Sequence, residues 1–378
     1  MTPILRLLKR DHLIRRTGYM TSFKLSSKLF AAALAAMALV FMSFSPAYAA
    51  PKKDFKVGWS IYVGWMPWGY AQDNGIVKKW ADKYGLNIEL VQFNDYIEGI
   101  NQFTAGAYDG IMSTNMDALA IPSAGGVDST ILIICDYSNG NDVIILKDKD
   151  ALEDIKGQKV NLVELSVSHY TLARGLESVG MSEKDVTVVN TSDADMIAAW
   201  GTNDVTAMVT WNPMAAEILT GENANNVFDS EKLPGEIQDS LVVNTKTLEE
   251  NPDFGKAMTG IWYETMALMS ADNEAAIAAK TAMGTASGTD LEGYEAQLAA
   301  TEMFYTPQDY ISFAESDLEK TTTFVTKFLF DHGLLGQDAT SPGYIGIELA
   351  DGKVVGNADN VLLRYTTEYA KLAADGKL

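Results

Sequence analysis

Between Phe55 and Val209 short apolar runs alternate with segments of helical periodicity, and this alternation is the feature that most narrows the fold. The runs are Phe55–Ile61, Asn87–Phe93, Ile111–Met112, Ile131–Ile134, Val143–Leu146, Lys159–Val163, Val186–Val189 and Val205–Val209. Helical patterns lie between them. One runs from Pro67 to Tyr84, and a second is capped by Asp95 and puts Ile97, Ile100 and Phe103 on one face before Ala105-Gly106 ends it. Others start at Met116, run from Tyr170 to Val179, and run from Asp193 to Trp200. Strand and helix units of these lengths predict an α/β chain whose sheets are mostly parallel and covered by helices.

The polar segment Asp136–Asp142 reads as a bridge out of one lobe, and a strand near Ser240–Asn244 reads as the return. The expected organisation is therefore one lobe from 50–140 and 240–378, a second from 141–239, and a ligand cleft between them. Beyond Pro252 the pattern is mainly helical: Pro252–Ser270, Asn273–Met283, Leu291–Met303, Pro307–Phe330 and a last helix over Val361–Ala374.

Residues 1–49 differ in kind. They carry Arg6, Lys9, Arg10, Arg15, Arg16, Lys24 and Lys28, then an apolar run to Phe44, then Ala47-Tyr48-Ala49. That order predicts a secretory signal peptide cleaved after Ala49 and a periplasmic protein. Removing its seven basic residues and one acidic residue takes the net charge from −21 to about −27, which argues against nucleic acid or an anionic membrane as partner. Cys135 is the only cysteine, so a disulfide or a Cys-rich metal site is not expected. Three histidines are too few and too scattered for a His-based metal site, and no cofactor is expected.

The stretch Val163 to Tyr170 reads as strand end, loop and helix start, with Ser166 and Ser168 as available caps. Its Glu164 is the wrong charge for the mouth of an anion site. Four other segments are expected to face the cleft: Trp59–Tyr70, Ser113–Asp117, Asp136–Asp142 and Trp211–Pro213. None of the five contains Lys or Arg, the residues an unhydrated sulfonate or nitrate would call for. The candidate ligand contacts are Trp59, Trp65, Trp68, Ser113, Asn115, Asp117, Asp136, Tyr137, Glu164, Ser166, His169 and Trp211. Aromatic faces with a carboxylate suit a flat cation such as guanidinium, by stacking and a two-pronged ionic hydrogen bond, and Glu164 is the expected counter-charge.

Four stretches carry a family resemblance: Trp68 to Ile76, Phe103 to Gly110, Lys156 to Asp185, and Trp200 to Val205 continuing through Trp211-Asn212-Pro213. In them the chain resembles the periplasmic binding proteins of nitrate, taurine and aliphatic-sulfonate ABC importers. The Trp-rich start and the Glu164 loop resemble the branch associated with urea carboxylase. The resemblance implies a type II periplasmic binding protein fold, no enzymatic activity, a monomer that hands its ligand to an ABC permease, and guanidine or a urea-like amide as ligand. Nitrate, a sulfonate such as taurine, or a thiamin-pyrimidine precursor are the alternatives. Pyrimidine synthases of this fold use a Cys-rich iron site, which a single cysteine does not supply, and no Gly-x-Ser-x-Gly elbow is present.

Overall fold

The computed structural model describes residues 52–316 and 318–378; the signal peptide expected over 1–49 lies outside the described residues. The strands, in chain order, are β1 (Asp54–Ser60), β2 (Asn87–Phe93), β3 (Gly110–Thr114), β4 (Ser129–Ser138), β5 (Val143–Lys147), β6 (Lys159–Leu162) and β7 (Thr187–Asn190). They continue as β8 (Ala207–Thr210), β9 (Ala224–Asp229), β10 (Gln238–Asn244), β11 (Thr301–Met303), β12 (Gly346–Glu348), β13 (Val354–Val355) and β14 (Val361–Tyr365).

These strands form two sheets. The larger has the order β13-β12-β14-β4-β10-β3-β1-β2, with β11 paired to β4. The smaller has the order β7-β6-β8-β5-β9. The parallel pairs expected from the strand and helix alternation are β1 with β2 and β3, and β6 with β7 and β8. The sheets are nevertheless mixed rather than mostly parallel. The strands flanking the passages between sheets enter antiparallel: β10 against β3 and β4, and β5 against β8 and β9. A strand that brings the chain back into a sheet without a crossover helix must run this way.

Burial explains why β4 can be central. Ile131 to Cys135 are all 0 % exposed, so this run is apolar on both faces and reads as continuous rather than alternating. Helices cover the sheets. The expected helix from Pro67 to Tyr84 is two, Met66–Asp73 and Ile76–Tyr84, broken where Gly75 takes φ 77°. The long helix Pro252–Met269 packs on the second of these, and Gly260 lets it do so: a Cβ there would stand 2.4 Å from the Trp80 ring.

Three C-terminal expectations change. The helix expected over Leu291–Met303 ends at Ala299, and Thr301–Met303 is the strand β11. Pro307–Phe330 is two helices, Pro307–Ser316 and Leu318–Asp331. The helix expected over Val361–Ala374 is the strand β14 followed by a helix over Glu368–Ala374. Val361 to Tyr365 suits either state locally, and parallel pairing of β14 with β4 decides it.

The two passages between sheets, 139–142 and 230–237, lie side by side. Ser138 N donates to Ile237 O at 2.9 Å, and the Ser138 and Ser230 hydroxyls bond each other at 2.6 Å. Ser230 Oγ also accepts from Gly140 N at 2.8 Å and from Asp142 N at 3.3 Å. One side chain therefore satisfies several groups that would otherwise be buried without a partner. Ser230→Ala is expected to cost about 1–3 kcal/mol, the usual penalty for orphaned buried polar groups, measured by thermal unfolding. A loss under about 0.5 kcal/mol would show that other groups or water replace the hydroxyl.

Candidate functional site

Both passages lead into a pocket between the sheets, lined by Tyr62, Trp65, Tyr96, Thr114, Asp142, Val167, Trp211 and Asp239. Its volume is about 20 Å³. A cavity of about one probe sphere holds a water, so in this form the pocket has no room for a ligand with a tail. Larger grooves open elsewhere on the surface, such as one of about 780 Å³ beside Arg364 and Glu348. They lack the feature that sets this pocket apart, a set of buried carboxylates converging on aromatic rings.

Local sequence places each wall. Tyr62 and Trp65 follow β1 and meet edge to face at 5.2 Å. Tyr96 opens the helix Tyr96–Thr104, which Asp95 caps through Glu98 N, and its ring lies 5.8 Å from Trp65 and 5.9 Å from Trp211. Trp211 follows β8 and donates from Nε1 to Ile61 O at 3.4 Å, joining the small-sheet side to the large. Ser192 Oγ to Asp95 at 2.8 Å makes a second such link.

Asp117 and Asp136, both expected ligand contacts, are buried behind the pocket and are not among its lining residues. Asp117 is 1 % exposed and accepts from the Tyr96 hydroxyl at 2.8 Å, Thr114 Oγ1 at 2.9 Å and Val167 N at 3.4 Å. Burial pushes its pKa up to about 6, against the pull of those donors. Asp136 is fully buried, accepts from the Tyr62 hydroxyl at 2.9 Å, and is also pushed up by burial. Asp142 is 3 % exposed and burial raises it to about 7, with Ser138 pulling the other way. Asp239 is raised by burial and by the charges of Asp136 and Asp142. No Lys, Arg or His is among the described residues lining the pocket.

Other expected contacts fall elsewhere. Glu164 is exposed and is not among the lining residues. Its backbone N donates to Asn190 Oδ1 at 3.0 Å, and Leu165 takes a left-handed φ of 64°, a turn that leaves the Glu164 carboxylate in solvent. Trp59 is core, its ring pressed on Gly69, and Trp68 stacks on Trp262 at 5.0 Å. Tyr137 stacks on Phe313 at 5.7 Å, outside the pocket. Ser113 donates to Thr114 O at 3.2 Å, and Asn115 ties its helix to the return passage through Glu236 O and Gln238 N, both at 3.2 Å. Ser166 caps the helix Val167–Ser178 by accepting from Ser168 N at 3.2 Å. Of the expected aromatic walls, Trp65 and Trp211 line the pocket.

His169 lies away from the pocket, and the histidines are less scattered than the sequence suggests. His169 and His332 both bond Glu183, and the three ligating atoms lie within 4.8 Å of one another. His169 Nδ1 accepts from Leu165 N at 3.1 Å, which keeps its proton on Nε2 and makes this a hydrogen-bonded bridge rather than a ready set of metal ligands.

Tyr62, Tyr96, Asp142 and Asp239 were missed as site residues. Asp142 ends a segment expected to face the cleft, and Asp239 begins the return strand, so both had a positional signal. Tyr62 lies within the segment Trp59–Tyr70 and so had one too; Tyr96 had none, because its hydroxyl acts on a carboxylate far along the chain.

Asp117 prefers its proton in the fold, so between its unfolded pKa near 4 and about 6 the stability it supports falls as pH rises. The Tyr96 hydroxyl opposes that loss by favouring the ionised form. Tyr96→Phe is therefore expected to cost about 1–3 kcal/mol at pH 8 and less at pH 5, read by thermal unfolding at both. An equal cost at the two values would mean the hydroxyl does not act through the Asp117 charge.

The chain matches the NMT1-like family over residues 49–283, more than half its length. A provisionally named binding protein of Brucella abortus is 24 % identical over 245 residues, 62 % of this chain and 73 % of that one. The taurine-binding periplasmic protein of Escherichia coli is 23 % identical over 181 residues, 47 % of this chain and 56 % of that one. Among solved structures, the alkanesulfonate-binding protein SsuA from Xanthomonas axonopodis pv. citri, bound to MOPS, superposes with a TM-score of 0.62 at 18 % identity. The match covers 76 % of this chain and 96 % of that one. The nitrate-binding protein NrtA from Synechocystis gives 0.54 at 13 % identity, over 87 % and 100 %. Two helix-covered sheets and these matches give the fold of the periplasmic binding proteins, and the chain belongs to the NMT1-like family.

Proposed function

We propose that this protein is the periplasmic receptor of an ABC importer, and that it captures a small planar nitrogenous cation of the guanidinium type for delivery to the permease. The lobes that close on it are 50–140 with 240–378, and 141–239, and the receptor acts as a monomer after cleavage at Ala49. The observation that carries the ligand reading is a pair of buried carboxylates, Asp142 and Asp239, in a pocket lining with no basic residue among the described residues, with Asp117 and Asp136 bonded to the lining residues behind them. An uncompensated cluster of this kind is costly to bury, and a bound cation removes the cost. Asp142 and Asp239 take the role of counter-charge that the sequence suggested for Glu164, and Trp65, Trp211 and Tyr96 supply faces for stacking.

A neutral amide such as urea is the second reading, and Trp65 favours it. Its Nε1–H is buried without a partner among the described residues, and a donor there suits a ligand that brings an acceptor oxygen, which guanidinium lacks. Nitrate or a sulfonate, the ligands in the names of relatives, would meet carboxylates in place of donors.

Calorimetric titration of the purified protein with guanidinium, urea, taurine and nitrate tests the reading. Guanidinium is expected to bind one to one and be recovered unchanged. Asp142→Asn is expected to weaken it by about 2–5 kcal/mol, the cost of breaking a desolvated charge pair, and to affect urea less. Tight taurine or nitrate binding with no response to guanidinium would sink the proposal.

A further inference from the structure

Asp136 and Asp239 face each other across β4 and β10, at the ends of the strands from which the two passages leave. They are 0 % and 3 % exposed, and as directly opposed residues of an antiparallel pair they put their side chains on the same face of the sheet, where burial and each other's charge act on both. The Tyr62 hydroxyl serves Asp136 Oδ1, yet Oδ2 of Asp136 and Oδ2 of Asp239 have no donor among the described residues. Ionised carboxyl oxygens only accept, so two buried oxygens without a donor, on side chains opposed across the strand pair, call for a proton on one of them. The backbone holds them there: a Cβ on Gly64 would stand 2.3 Å from Asp136 Oδ2. The titratable groups acting on the pair from neighbouring elements are Tyr62, Cys135, Asp142, Tyr294 and Tyr305, all acids and none able to supply positive charge.

We infer that the Asp136–Asp239 pair is the charge-selecting element of the site: it holds one proton, releases it when a cation enters, and keeps it when a neutral ligand of the same shape enters. The inference rests on the receptor reading and sharpens it from shape to charge. In the exchange one O–H bond breaks, its proton passes to water, and the freed carboxylate becomes the counter-ion. The net charge inside the closed pocket is the same before and after, so the cation enters without leaving an uncompensated charge. Asp239 lines the pocket and meets the ligand, while Asp136 acts through it as a positioning residue.

The test joins two measurements on the purified protein. Titration with guanidinium chloride at pH 7 in two buffers of different ionisation heat counts the protons released. Between half and one proton per cation is expected, and none with urea. Over the range where the pair holds its proton, guanidinium affinity is expected to fall about tenfold per unit of pH decrease, the slope of a one-proton exchange. Infrared spectroscopy of the ligand-free protein is expected to show protonated carboxyl absorption that shifts in D2O and drops by one group's intensity on saturation with guanidinium, a drop that is absent in Asp239→Asn. The D2O shift needs no variant, so the result stands even where the substitution fails to fold. Cation binding without proton release, or a ligand-free protein with no protonated carboxyl band, overturns the inference. A band that is present in a protein that ignores guanidinium removes the cation reading and the exchange together, while leaving the proton on the pair.

Discussion

Four carboxyl groups buried around one small space, with no basic side chain in its described lining, set the terms for the rest of this structure. Charges removed from water must be neutralised by a proton, a hydrogen bond or a counter-ion. Each answer is visible. Asp117 has three donors, Asp136 has the Tyr62 hydroxyl, and Asp239 is raised by burial and by the charges of Asp136 and Asp142. The tyrosines and the capped helix starts that ring the pocket are there to hold these groups, which is why so much of the site consists of residues that a ligand would not touch.

The same residues hold the two halves together. Asp117 belongs to the large-sheet side and accepts from Val167 N, the first residue of a helix on the small-sheet side. Asn141, within a passage, bonds Asn212 at 2.8 Å and Thr301 at 2.6 Å. Site chemistry and the geometry of closure are therefore one network, and a change in the charge of an acid is felt where the chain crosses between sheets.

What the sequence made legible follows from range. Strands such as Phe55–Ile61 and helix starts such as Asp95 are set by neighbours a few residues away, and they stand close to where periodicity put them. The absence of Lys and Arg from the cleft segments could also be read directly, since no partner was needed to see it. Glu164 could not be placed, because its direction depends on a bond to Asn190 and a left-handed turn at Leu165. Asp239 is an acid at the start of a strand until Asp136 is brought opposite it from a hundred residues away. Val361 to Tyr365 was read as helix because nothing local favours β4 as its neighbour.

The two indoles on the pocket wall have a consequence of an optical kind. Trp65 comes from the large-sheet side and Trp211 from the small, with the Tyr96 ring between them at 5.8 and 5.9 Å. Trp59, Trp68 and Trp262 are packed in the core, away from the pocket lining. Opening the cleft would bring water to Trp65 and Trp211 and part Trp211 from its neighbour, changing emission colour and yield against a steady background. The chain thus carries its own fluorophores on the wall of the pocket between its two sheets, and a change there can be followed in a spectrometer with no dye attached.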